Sequence, residues 1–365
     1  MITAASLVDE RSEADARPGL FERVGDVSAL AVLRIALGPV VLVHLSPFLA
    51  DARAGKLYDD HFWHAYATWV PAPSGEVWAL LLWVGMLSAV LMSLGVLTRL
   101  STTVTFLVVA GNLLLSETHF RHNRAFLAIL LFGLALLPTG RTRSFDAWWR
   151  RRRHLAALRP EALLWPLVML RVQVSLVYFA SGFSKLVDPD WLGGLVLWDR
   201  VVRYQHVIHP APGWAVDLLT WRPLFYVVAP VAVVTELFLA IGLWLPRTRL
   251  VAIRVAIVFH LAIELGARVE VFSLAAIAAL VIWVTPARRE RVIRLGGRTR
   301  SAWVLARAVP LLDWFDRFTI EPSCPEDPDV VMVDRDGTTL HGRAAVRGIV
   351  ERLPVTFPLA PLARP

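Results

Sequence analysis

"EVWALLLWVGMLSAVLMSLGVL", residues 76–97, settles the class of fold: its 22 positions hold a single ionisable side chain, Glu76, at the very start. As a helix the run rises about 33 Å, enough to cross a hydrocarbon core of about 30 Å. Working outward, seven more apolar runs cover 28–50, 100–116, 124–138, 162–186, 222–245, 248–266 and 269–285. Hydrophobic residues make up 56% of the chain, the mean hydropathy is +0.55 and there are 15 Trp. Soluble domains sit nearer about 45–50% apolar. The expected fold is therefore an all-α polytopic integral membrane protein with about eight transmembrane helices and a small cytoplasmic α/β C-terminal tail.

The segments between the runs suggest an orientation. Residues 140–154 read "GRTRSFDAWWRRRRH" and residues 286–300 read "PARRERVIRLGGRTR". Arginine excess marks the cytoplasmic side, so both termini are expected there, in an inner (plasma) membrane. The net charge of +8 is explained by this topology, and no nucleic-acid partner is implied; the lipid bilayer is the expected partner. Connectors 51–75, 117–123 and 187–221 then lie on the other face. They are rich in His, Asp and aromatics, which suggests a pocket there, although Trp63, Trp69, Trp191 and Trp198 also suit a membrane-interface belt. Residues 1–27 are polar and mixed in charge, with no apolar signal-peptide core, so the first span is expected to direct insertion.

The domain reading follows: 1–27 a cytoplasmic N-terminal segment, 28–285 the transmembrane domain, 286–329 a basic juxtamembrane stretch and Pro-rich linker, and 330–365 a C-terminal remnant. The stretch 286–320 suits lying on the inner leaflet. The end, "VVMVDRDGTTLHGRAAVRGIVERLP" (330–354), reads as strand, Asp-Gly turn, short strand and helix, too short to bury a core of its own.

Several chemistries find no support. The one cysteine, Cys324, excludes an intrachain disulfide framework. No Ser-His-Asp signature, phosphate loop or dinucleotide fingerprint occurs. Metal is not expected either, because "HFRH" (His119, His122) has no evident third ligand.

Ionisable groups inside spans are costly and are paired or functional as a rule. Here they are Arg34 and His44, Arg171 and Lys185, Glu236, and Arg254, His260 and Glu264. His260 and Glu264, four apart, share a helical face. The bland reading is internal ion pairing, for example Arg171 with Glu236. Lys185 stands out, because Lys56 and Lys185 are the only lysines among 38 basic residues. A lysine at a span end commonly snorkels to the interface. Unlike arginine, it can also give up its proton and serve as a base.

At "VYFASGFSKLVDPDWLGG" (177–194) the chain resembles the bacterial relatives of vitamin K-dependent γ-carboxylase that carry the horizontally transferred transmembrane (HTTM) domain. Also similar are "LRIALGPVVLVHL" (33–45), "HFRHNRAFLAILLFGLALLPTGRTRSFD" (119–146) and "FHLAIELGARVEVFS" (259–273). The resemblance implies that Lys185 deprotonates a reduced quinone (vitamin K-like), that His122 assists, or Asn123 if the register slips by one, and that His260 belongs to the same site. Asp188, Asp190, Trp191, Glu264, Glu236 and Arg171 complete the candidate pocket. The chain lacks the large lumenal domain that follows the spans of the animal carboxylase. A non-catalytic maturation or export partner for a secreted peptide therefore stands as the alternative, and a transporter as the third reading. The tail is similar to part of a DCC-type thiol-disulfide oxidoreductase domain without its cysteine motif.

Overall fold

The structure is a computed structural model that describes residues 19, 21–56, 64–66, 69, 73–156, 158–203, 212–267, 269, 271–284, 286, 288–296, 300–322, 330–354 and 356. Trp63 and Cys324 lie outside the described residues.

A helix forms at each of the eight apolar runs. They are α1 (Ser28–Arg53), α2 (Gly75–Leu94), α3 (Thr98–Leu113), α4 (His122–Leu136), α6 (Trp165–Leu186), α9 (Phe225–Gly242), α10 (Arg249–Ala267) and α11 (Val271–Ala279), the last extended by a 3-10 turn, Leu280–Trp283. Four of the described segments are long and apolar enough to cross a membrane: α1, α2, α6, and α9 together with the turn before it from Arg222. The helices α3 and α4, at 16 and 15 residues, rise only about 24 and 22 Å. Between the main helices stand the short α5 (Phe145–Arg152), α7 (Leu195–Arg203) and α8 (Gly213–Thr220). A two-stranded antiparallel sheet joins β1 (Val24–Asp26) to β2 (Glu161–Leu163).

The helix α1 is the hub of the bundle, with 72% of its apolar window buried against 28–33% for the other three segments. It contains Pro39 and Pro47, each of which removes an amide donor and frees the carbonyl four residues earlier. Ser93 on α2 donates its hydroxyl to the Ile35 carbonyl at 3.1 Å, and Ser46 donates to the Val43 carbonyl at 3.2 Å. Gly38 makes the first bond possible, since a Cβ there would stand 1.8 Å from the Ser93 Oγ.

Arg34 is fully buried and has a structural task. Its guanidinium donates to the Met92 carbonyl, to the Ser93 carbonyl at 2.9 Å and to the Arg143 carbonyl at 2.7 Å. A cation is thereby placed on the open C-terminal carbonyls of α2, where the helix dipole favours it. Asp146 performs the mirror task for α3, accepting the Leu97 and Thr98 amides at 2.9 and 2.7 Å. Part of the "TGRTRSFD" pattern is thus explained by helix capping.

Past the bundle, β3 (Arg291–Leu295), α12 (Arg300–Leu312) and β4 (Phe318–Pro322) form a parallel crossover. β5 (Val330–Val333), β6 (Thr339–His341) and α13 (Gly342–Arg352) follow, giving a four-stranded sheet of order β4-β3-β5-β6. Ile293, Leu305, Val309, Val330, Met332 and Ile349 share one core. This corrects the domain reading. Residues 291–322 do not form a separate surface-lying stretch, and 330–354 need not stand alone, because β3 pairs with both β4 and β5. The strand, turn and helix expected within 330–354 are present.

The small domain is clipped to the arginine-rich end of the bundle. Arg143 donates to the Asp313 carbonyl and the Asp316 carboxylate, both at 2.9 Å. Arg288 bridges Asp26 and Asp316, and Phe315 is buried against Ala29 and Val32 of α1.

Candidate functional site

Lys185 ends α6, and the helical period lines up Tyr178, Ser181, Gly182 and Lys185 on one face. That face meets α9 and α10. Gly182 is the point of closest approach: a Cβ there would lie 3.0 Å from Leu237 and 3.2 Å from the Glu236 Cβ. The absent side chain lets two backbones come together, which brings Lys185 within reach of Glu236.

The Lys185 ammonium donates to both Glu236 oxygens, at 2.6 and 2.8 Å, and to the Ser181 hydroxyl at 2.9 Å. Ser181 in turn donates to Glu236 Oε1 at 3.1 Å. Above the ammonium lies the Trp191 ring, 4.8 Å to its centre, a cation–π contact. The Lys185 side chain keeps 18% of its exposure and Glu236 only 5%. The lysine therefore turns inward onto a buried carboxylate instead of reaching out to water.

About two turns before Lys185 on α6, the Tyr178 hydroxyl and His260 Nε2 are 2.7 Å apart. His260 is fully buried among Tyr178, Phe259 and Phe272. Its Nδ1 and the Glu264 Oε2 are buried atoms with no hydrogen-bond partner among the described residues. The bundle thus leaves two buried polar atoms unsatisfied one turn apart on α10, and such atoms are rare unless they serve a role.

The remaining candidates divide. Asp188 is a cap, accepting the Asp190 and Trp191 amides at 2.9 and 3.3 Å, and so it sets the angle of the Trp191 ring. Asp190 is exposed. Arg171 does not pair with Glu236, which corrects the ion pair suggested from sequence. Its guanidinium donates to the Ile282 carbonyl at 2.9 and 2.6 Å, closing the end of the 3-10 turn, while Glu236 is taken by Lys185. His122 is exposed, with its ring edge against Phe120. Its neighbour Asn123 donates to the Val269 carbonyl at 3.2 Å, in the turn between α10 and α11 that also leads to Phe272.

Sequence reasoning missed Tyr178 and Ser181. Their signal was present in "VYFASGFSK": they stand seven and four positions before Lys185, on its own face.

A second polar cluster joins α1, α2, α3 and α4. The Phe48 ring lies between His44, His119 and the Arg124 guanidinium, and Trp78 donates to the Asn112 side chain at 3.2 Å. Burial draws the His119 imidazole below its usual value, against the hydrogen bond to the Asn112 backbone. Among the described residues no group of three or more His, Cys, Asp or Glu stands together in a way that could hold a metal.

Residues 22–287 match the sequence profile of the HTTM domain, which covers most of the chain. No solved structure matches.

Proposed function

The chain belongs to the HTTM-domain family, and on that premise we propose that it is an integral-membrane enzyme acting on a lipid-soluble quinol, with the Lys185–Glu236 pair as its proton acceptor. The observation that carries this reading is the position of the pair. An ammonium that keeps some access lies on a carboxylate that has almost none, beside the Tyr178–His260 bond and two unsatisfied polar atoms.

The quinol, once bound, supplies the reducing chemistry. Lys185 supplies the contact: a hydroxyl proton moves onto Nζ as an ammonium proton passes to Glu236 Oε1, 2.6 Å away. The ammonium is restored and faces the oxygen that has lost its proton, and the proton rests on Glu236. Such relays through buried carboxylates are a common use of ionisable groups inside membranes. Tyr178 and His260 form a buried polar contact behind the pair, and Trp191 covers the ammonium. The arginine-rich end would face the cytoplasm and the Lys185 end the opposite side.

The same pair supports a second reading. A fully satisfied Lys185–Glu236 bond clamps α6 to α9, as a non-catalytic partner of a secreted peptide would need only a stable bundle. Substitution of Lys185 by Arg separates the two. Arginine keeps the charge and the clamp but does not give up a proton. Thermal stabilisation of the purified protein by a menaquinol-like compound, followed by turnover of that compound, is the assay. A fully active Lys185→Arg protein would leave only the clamp.

A further inference from the structure

At the other end of α6 a cleft of about 730 Å³ opens between α4 and α6, with β2 at its end. Its walls include Phe132 and Leu136 on α4 and Trp165 and Met169 on α6, and at its mouth stand Arg141 and Glu161. We propose that this cleft is a binding site for one aminophospholipid, with an acyl chain between α4 and α6, the phosphate on Arg141 and the headgroup amine on Glu161.

Three observations point to that occupant. The walls are apolar and open sideways: Phe132, Leu136 and Met169 are 49%, 63% and 56% exposed on helices that run through the apolar bundle. In a bilayer that face meets acyl chains, not water. The charged groups gather at one end only, beyond the end of α4 and before the start of α6, at headgroup depth, while the one polar residue at the far end, Gln173, is uncharged. They are also of both signs. Arg141 spends one hydrogen bond, at 3.0 Å, on the Glu161 carbonyl, and the rest of its guanidinium suits the bidentate geometry of a phosphate. The Glu161 carboxylate beside it suits a primary ammonium and disfavours a headgroup carrying only negative charge.

Two other occupants fit less well. The N-terminal residues 1–18, "MITAASLVDERSEADARP", carry six charged side chains between residues 9 and 17 and would not fill an apolar cleft. The substrate of Lys185 would be remote, because Lys185 lies twelve residues beyond Gln173, the last α6 residue lining the cleft, or about 18 Å along the helix. The lipid site is therefore independent of the function proposed above.

The test is native mass spectrometry of the full-length protein released from membranes of phosphatidylethanolamine and phosphatidylglycerol in equal amounts. The expected spectrum shows one phosphatidylethanolamine adduct per chain. Met169→Trp fills the cleft and removes the adduct, Arg141→Ala reduces it several-fold, and Glu161→Gln lets phosphatidylglycerol compete equally. Unchanged thermal unfolding shows that each variant is folded, and Arg141→Ala, at the mouth and outside the packed core, serves if Met169→Trp misfolds. Adducts that persist unchanged in Met169→Trp and Arg141→Ala overturn the proposal, as does a doubled mass showing a second copy of the chain in place of lipid.

Discussion

Lys185 shows what a single residue can and cannot tell. Its rarity in an arginine-rich chain marked it, but the sequence offered snorkelling or catalysis, and neither names Glu236. Helical periodicity fixes which side chains share a face; it does not say which face of a distant helix will meet them. The partner changes the mutational logic. Lys185→Ala strands a buried carboxylate and should destabilise the protein by about 3–5 kcal/mol. Lys185→Arg should melt close to the parent while losing quinol turnover. The double variant Lys185→Met/Glu236→Leu should recover most of the stability and none of the activity. Calorimetry or fluorimetry in detergent measures the first effect and turnover the others. A stable, inactive Lys185→Ala protein would show that Glu236 is not held as described. At the same scale, Asn123→Ala should weaken activity more than His122→Ala, because Asn123 holds the turn leading to Phe272 while His122 is exposed.

Among elements, hydropathy placed a helix at each of the eight apolar runs, of which four are long and apolar enough to cross a membrane among the described residues. What holds neighbours together was less legible. The Ser93–Ile35 bond depends on a proline, a glycine and a serine that are meaningful only when α1 and α2 are in contact. Ser93→Ala should cost about 1 kcal/mol by leaving the Ile35 carbonyl without a donor. Gly182→Val should do more. It inserts a branched side chain where even a Cβ meets Leu237 at 3.0 Å, and overpacking of this kind costs about 1–3 kcal/mol. It should also open the Lys185–Glu236 contact, so quinol stabilisation should vanish together with the fall in melting temperature. A Gly182→Val protein with full ligand response would place the site elsewhere.

For the whole molecule, composition suggests a domain boundary at the end of the Pro-rich linker, near 329, whereas the chain on either side, β4 and β5, belongs to one sheet. Local composition cannot reveal that β3 finds β5 across some 35 intervening residues. That sheet carries its own pH dependence. Burial tends to raise the Asp334 carboxyl, but the Arg335 amide together with Arg352 and Arg291 holds it below its usual 3.8. The stability it adds is complete above 3.8 and is lost as pH falls through the lower folded value. Asp334→Asn should therefore lower the melting temperature of the C-terminal domain at pH 7 and make little difference at pH 2. An equal gap at both pH values would refute the charge-based account. Topology is tested at the same scale. In a Cys324→Ser background, Lys56→Cys should react with an impermeant maleimide while the inner membrane is intact, and Arg151→Cys only after it is permeabilised. The reverse pattern would invert the protein.

The bonds that satisfy α1 also constrain the order in which the chain can be made. Among the described residues, Arg34 and the Ile35 carbonyl find these hydrogen-bond partners at Met92, Ser93 and Arg143. While the ribosome has delivered α1 alone, the translocon holds a span with an unmatched arginine, at a cost of up to about 3 kcal/mol, and a proline-freed carbonyl. The helix should therefore wait at the lateral gate and enter lipid as a hairpin with α2. A nascent chain stalled with α2 fully emerged should integrate efficiently, and one stalled before residue 75 should remain extractable by alkali.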